Sequence, residues 1–160
     1  MGISQPVIIA GAGPVGCTAA LRLAQAGIPV ILLEGLADLP ETLRASTFHP
    51  PSLDMLDELG MAAPLEAQGL VCRRYQYRDR RTGEIAEFDL EVLRGDTRHP
   101  YRLQAEQWKY TRLVWNELQT THAGLAQCHF NHAVKGVYQT NDGVEVLVWD
   151  GGVEKTLHGS

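Results

Sequence analysis

Two stretches decide the fold: Pro6-Val-Ile-Ile-Ala-Gly11-Ala-Gly13-Pro-Val-Gly16 and, after an alanine-rich run that ends at Gly27, Val30-Ile-Leu-Leu-Glu34. Their order reads as strand, glycine turn, helix, strand, acid. A lone G-x-G-x-x-G carries little weight, because glycines are common. Here an apolar run precedes the glycines, a helical pattern follows them, and Glu34 stands 18 residues beyond Gly16 at the end of a second apolar run. Gly11 permits the tight turn from strand to helix, Gly13 lets the backbone approach a pyrophosphate, and Gly16 lets the helix pack close to the strand. Gly11, Gly13, Pro14, Val15 and Gly16 are therefore the expected phosphate cradle. At the helix N-terminus, free N–H groups and the positive end of the dipole favour an anion. Pro14 removes an N–H that is unpaired there in any case. The Glu34 carboxylate is suited to accept hydrogen bonds from ribose hydroxyls and repels a 2′-phosphate.

Working outward, the spacing predicts a helix over 14–26, with Val15, Ala19, Leu23 and Ala26 on one stripe and Gly27 as its stop. Val30 to Leu33 is apolar throughout, as suits a strand buried on both faces. Pro50 and Pro51 are expected to break any helix, with Ser52 capping the next one. That helix carries Leu53, Met55, Leu56 and Leu59 and stops at Gly60; a helical turn and loop follow over 61–70. Residues 71–78 alternate, with Val71, Arg73, Tyr75 and Tyr77 on one face. Residues 80–83 make a turn, and residues 85–90 return with Ala86, Phe88 and Leu90 aligned. This reads as a β-hairpin inserted over 70–103, whose tyrosines pack against the sheet or cover a ligand. A brief strand at 101–103 leads to Gln104. A helix over 105–121 presents Trp108, Thr111, Trp115 and Leu118 on one face. Strands at 126–130, 135–140 and 144–149, with a fourth at 154–157, form a β-meander over 126–158, its tightest turn at Asn141-Asp142-Gly143.

The chain has 160 residues, enough for the core of one domain with an appended β-subdomain, and a composition that is soluble and globular. A net charge of −5 offers no basic field to nucleic acid. No apolar run has transmembrane length, and no charged leader precedes the first strand, so a cytoplasmic protein without membrane attachment is expected. Met1-Gly2 opens like an acylation signal, but Pro6 stands where Ser or Thr is required. Cys17, Cys72 and Cys128 are far apart and odd in number, which points to reduced thiols. His129 and His132 are expected on opposite faces of a strand, and no metal site is expected.

Taken together, these residues resemble the N-terminal part of FAD-dependent aromatic hydroxylases, the single-component flavoprotein monooxygenases of the para-hydroxybenzoate hydroxylase type. The resemblance runs over essentially the whole chain. It rests first on Gly11, Gly13 and Gly16, and then on Glu34, which in that family holds the adenosine ribose. Arg44-Ala45 matches the family's arginine after the second strand, near the FAD phosphates and ribose. Arg102-Leu-Gln104 opens a long helix, and Gln104 matches a glutamine that contacts the cofactor. Val134 stands near where the family's chain passes the adenine. The expected fold is α/β: a Rossmann-like FAD-binding unit with a β-hairpin insertion and an antiparallel β-meander, truncated relative to the family.

The resemblance implies an enzyme that uses FAD, consumes NADH or NADPH, and inserts one atom of oxygen into an electron-rich aromatic small molecule. In the family a further buried strand, an Asp-Gly motif and a distant Gly-Asp motif follow the meander. Asp142-Gly143 and Asp150-Gly151 read instead as hairpin turns, so residues 1–160 are expected to be the N-terminal part of a longer FAD/NAD(P)-binding domain, and an unpaired sheet edge leaves association open. No catalytic residue is assigned. The competing readings are a Rossmann oxidoreductase that binds NAD(H) and a non-catalytic dinucleotide-binding fragment.

Overall fold

The computed structural model describes residues 5–160; the Met1-Gly2 opening lies outside them. Two compact units divide these residues. One holds the chain through Thr42 together with Tyr110–Ser160, and the other holds Leu43–Lys109.

In the first unit, β1 (Val7–Ala10), α1 (Pro14–Gln25) and β2 (Val30–Leu33) follow the expected order. β1 and β2 are parallel, with Val7 opposite Val30 and Ala10 opposite Leu33. The third strand of this sheet is β8 (Ala126–His129), parallel to β2 on its other side. The strand expected to begin the meander therefore belongs to the parallel sheet. Its apolar and polar residues alternate as in any half-buried strand, and pairing partners are not written in that pattern. The meander is β9 (His132–Gln139), β10 (Val144–Asp150) and β11 (Val153–Gly159), with β10 central. Between β8 and β9 the chain reverses through Asn131, whose φ of 59° lies in the left-handed region that asparagine tolerates. The reversal brings the His129 and His132 rings to 5.0 Å, instead of placing them on opposite faces of one strand.

Strand alternation divides the core of this unit. Ile31 and Leu33 turn to the meander, where Leu33, Val146 and Val148 form a buried cluster flanked by Ile8, Val134, Val144 and Leu157. On α1 the buried face is Cys17, Ala20, Leu21 and Ala24. The stripe expected from Val15, Ala19, Leu23 and Ala26 is the outer one: Val15 is 83% exposed. In a helix so rich in alanine several stripes are apolar, and spacing alone does not choose among them. The last helix, α4 (Gln107–Thr120), buries Tyr110, Thr111, Val114, Trp115 and Leu118. Trp115 stacks on Phe130 at 4.2 Å, while Trp108 is only half-buried.

In the second unit, α2 (Pro50–Glu58) has Pro50 and Pro51 inside its first turn and His49 as N-cap. The prolines begin this helix instead of breaking it, because the N–H groups they lack have no intrahelical acceptor there. Ser52 is thus within the helix, not its cap. Leu53, Leu56 and Leu59 are buried and Met55 is 47% exposed. A short helix, α3 (Ala62–Glu66), follows. Residues 71–78 are not one strand. β4 (Leu70–Cys72) pairs with β7 (Arg102–Gln104), which also pairs with β3 (Thr47–Phe48). After Arg73 the chain enters a separate hairpin, β5 (Arg74–Asp79) and β6 (Gly83–Asp89). The segment Arg102-Leu-Gln104 is accordingly a strand, and the helix starts at Gln107. The hairpin's aromatic rings pack on one another, Tyr75 lying 5.2 Å from Tyr77 and 6.3 Å from Phe88, and the Arg102 guanidinium of β7 lies over the Tyr75 ring.

The Leu33→Ala variant should lose about 2–5 kcal/mol of stability through a cavity at the centre of the Leu33–Val146–Val148 cluster. Urea unfolding followed by far-UV circular dichroism measures this loss.

Candidate dinucleotide site

The glycine turn is built by three backbone constraints. Gly11 has φ +96°, a conformation that side-chain-bearing residues rarely adopt, and its N–H donates to Leu33 O at 2.7 Å. A Cβ at Gly16 would lie 2.0 Å from the Gly11 carbonyl oxygen and 3.3 Å from Ile9. The helix therefore rests directly on the strand that feeds it. A Cβ at Gly13 would meet nothing within 4 Å, and the φ of −71° there suits any residue. The space at Gly13 is open, and it lies at the N-cap of α1.

The start of α1 is prepared for an anion. Gly13 supplies no side-chain cap, Pro14 occupies N1 or N2, and the first turn holds no acid. The N–H groups of Val15 and Gly16 lie in the first turn, where an α-helix offers no acceptor. Exposed Val15 leaves the outer side of the turn clear.

Glu34 ties the second strand to this turn. Its Oε2 accepts from Ala12 N–H at 3.0 Å and its Oε1 from Leu36 N–H at 3.0 Å. The backbone on either side of the carboxylate is held as well: Glu34 N–H donates to His129 O at 2.8 Å, and His132 N–H donates to Glu34 O at 2.8 Å. Each carboxylate oxygen keeps a second lone pair, so the group can accept ligand hydroxyls while holding the loop. Beneath the turn, the Cys17 thiol donates to Ala12 O at 3.3 Å. Burial pushes its pKa up to about 12, with Cys128 and Glu34 adding to the rise, so it is a packing group and not a nucleophile. Thr18 donates its one hydroxyl hydrogen to Pro14 O at 2.7 Å, which makes Tyr110 the donor in the 2.6 Å contact between the two hydroxyls.

Gly11, Gly13, Pro14, Val15, Gly16 and Glu34 thus meet around one turn. Val134 does not present its side chain to that turn; it packs on the Leu33–Val146–Val148 cluster. Arg44 and Gln104 belong to the second unit. Gln104 is held by two side chains: Thr47 Oγ1 donates to its Oε1 at 3.1 Å, and its Nε2 donates to Ser46 Oγ at 2.7 Å. It faces a cleft of about 410 Å³ with Ser46, Gln68, Leu70 and Lys109. Arg44 is exposed, and among the described residues it has no ion-pair partner. Sequence reasoning missed the second use of Glu34, as a brace for the glycine turn. Its only sequence signal is the same acid at the strand end. Among the described residues no group of His, Cys, Asp or Glu is arranged to hold a metal ion, and no helix is long and apolar enough to cross a membrane.

Parallel strands, a glycine turn against a helix N-terminus and an acid closing the second strand define a Rossmann-type dinucleotide-binding unit. The chain belongs to the FAD binding domain family, whose model matches residues 4–160. It is similar to 6-hydroxy-3-succinoylpyridine 3-monooxygenase HspB of Pseudomonas putida, 38% identical over 119 residues, or 74% of this chain and 30% of that protein. It is also similar to para-nitrophenol 4-monooxygenase of a Pseudomonas species, 32% identical over 83% of this chain and 32% of the relative. Among solved structures, p-nitrophenol 4-monooxygenase PnpA of Pseudomonas putida DLL-E4 superposes with a TM-score of 0.89 at 28% identity, covering 99% of this chain and 40% of that one. The chain therefore spans about a third of the length of the curated relatives it matches. These matches make FAD the cofactor of the domain and disfavour the reading as an NAD(H)-binding unit.

The glycines separate structural from spatial need. Gly16→Ala should cost about 3 kcal/mol by forcing α1 off the Gly11 carbonyl, whereas Gly13→Ala should change stability by less than about 0.5 kcal/mol. Parallel urea titrations of the two variants test this contrast.

Proposed function

We propose that this chain is the adenosine- and pyrophosphate-holding part of an NAD(P)H-consuming, FAD-dependent monooxygenase that hydroxylates a small aromatic molecule. The observation that carries the reading is the open, uncapped, acid-free N-terminus of α1, with Glu34 braced beside it, in a member of the FAD binding domain family. In this reading the N–H groups of Gly13, Val15 and Gly16 donate to the pyrophosphate, and Gly11 and Pro14 shape the turn that presents them. Glu34 accepts from the adenosine ribose hydroxyls through its free lone pairs. Arg44 supplies a cation to the phosphates and ribose, and Gln104 donates or accepts at the cofactor from its fixed position beside Ser46 and Thr47. Val134 backs the adenine region through the core packing of β9.

When bound, the flavin supplies the redox chemistry: electrons from NADH or NADPH, one oxygen atom to the ring and the other to water. The chain's own residues supply orientation and charge. The names of its relatives support the aromatic substrate class, since they act on a hydroxypyridine derivative and on para-nitrophenol. The three free thiols, two with pKa values raised by burial, suit the reducing cytoplasm where NAD(P)H is found.

Titration with FAD, followed by quenching of flavin fluorescence and by thermal stabilisation, tests the reading. Saturable binding is expected. Gly13→Val should fold as the parent does and weaken FAD by at least about tenfold, because its side chain fills the open space at the N-cap. Glu34→Ala should weaken FAD by about tenfold through loss of charge-assisted hydrogen bonds. FAD that neither quenches nor stabilises would overturn the reading.

A further inference from the structure

We propose that Arg102 is a recognition site for an anionic oxygen, the phenolate or carboxylate of the aromatic ligand. This inference rests on the monooxygenase reading above.

Arg102 stands out by what it lacks. Three arginines of the adjoining hairpin region face carboxylates. Arg73 meets Glu91 at 3.4 Å, Arg74 meets Glu87 at 3.4 Å and Asp89 at 3.9 Å, and Arg78 meets Glu84 at 3.7 Å. Among the described residues Arg102 has no carboxylate and no hydrogen-bond acceptor. It is nevertheless half-buried, and its Nε is buried outright with no partner. Guanidinium N–H groups removed from water without an acceptor are unfavourable and rare, and a chain with 19 acids against 14 basic residues has carboxylates to spare. An unmatched, half-buried guanidinium in such a chain is a cation kept for a ligand.

The surroundings fix the ligand's class. The Arg102 guanidinium lies over the Tyr75 ring, with Cζ 4.8 Å from the centroid, and Tyr75 leads to Tyr77 and Phe88. A planar cation seated on an aromatic ring has its fork fixed, which suits recognition of an oxyanion on a planar ligand. Arg102 and Gln104 are two apart on β7 and share its face. Cys72 lies opposite Arg102, and Leu70 lies opposite Gln104. That face also carries Thr47 opposite Gln104. The same face therefore places the unmatched cation one strand repeat from the fixed amide of Gln104, and the buried Leu103 points the other way.

An anionic oxygen could also come from the FAD phosphates, and the test separates the two sources. The probes are 4-nitrophenolate, at a pH where it is ionised, and nitrobenzene as a neutral ring. Each is titrated by equilibrium dialysis into the FAD-saturated and FAD-free full chain. R102Q should weaken 4-nitrophenolate at least about tenfold, as expected for loss of a charge-assisted hydrogen bond. It should leave nitrobenzene and FAD affinities within about twofold of the parent. R102K, which keeps the charge but not the planar fork, should restore only part of the loss and serves as a folded control. Unchanged 4-nitrophenolate binding in R102Q, no 4-nitrophenolate binding by the parent chain, or an equal loss of nitrobenzene affinity would overturn the proposal. So would a loss confined to FAD, which would assign Arg102 to a phosphate. Failure of the parent chain to bind FAD strikes the monooxygenase reading instead, and the FAD-free titration still reads Arg102.

Discussion

The first unit depends on one close approach. The absence of a Cβ at Gly16 lets α1 sit against the Gly11 carbonyl, where any side chain would lie 2.0 Å from that oxygen. From that contact follow the direction of α1, the aim of its N-terminus and the open space at Gly13. Glu34 completes the arrangement by reaching from the end of β2 to the Ala12 N–H. The turn and the acid are thus one hydrogen-bonded object. A residue suited to a ligand also holds the loop that meets the ligand, so altering the acid disturbs recognition and preorganisation together.

Much of this was legible in the sequence because each signal is local. Glycine spacing, the apolar run of β2 and the acid that ends it all sit within a few turns of chain, and each has a single physical reading. The Asn141-Asp142-Gly143 turn is equally local. What sequence reasoning missed depends on partners distant in the chain. β8 carries an ordinary alternating pattern, and only its pairing with β2 places it in the parallel sheet. The break at Arg73 divides one alternating run between two sheets, because β4 finds its partner in β7. The buried face of α1 was misread because alanine is compatible with either side. Pro50 and Pro51 were misread because proline has opposite meanings in the first turn and in the interior of a helix. The packing of the Val134 side chain on the Leu33–Val146–Val148 cluster likewise depends on partners distant in the chain.

Charge distribution adds a second theme. The hairpin strands pair their arginines with glutamates and aspartates across the ladder, which keeps an exposed two-stranded element soluble and in register. Such exposed pairs contribute little stability. Arg102 differs from these paired hairpin arginines: it is a cation set on an aromatic ring, with a buried donor that no group among the described residues satisfies. Local rules that fail in this way are expected at functional or strained sites.

The central claim is that the α1 N-terminus holds the pyrophosphate of FAD. The most direct measurement is a 15N–1H correlation spectrum of the chain titrated with FAD. The account predicts that the backbone amides of Gly13, Val15 and Gly16 move most and saturate together with flavin fluorescence quenching. FAD binding that leaves those three amides in place would contradict it.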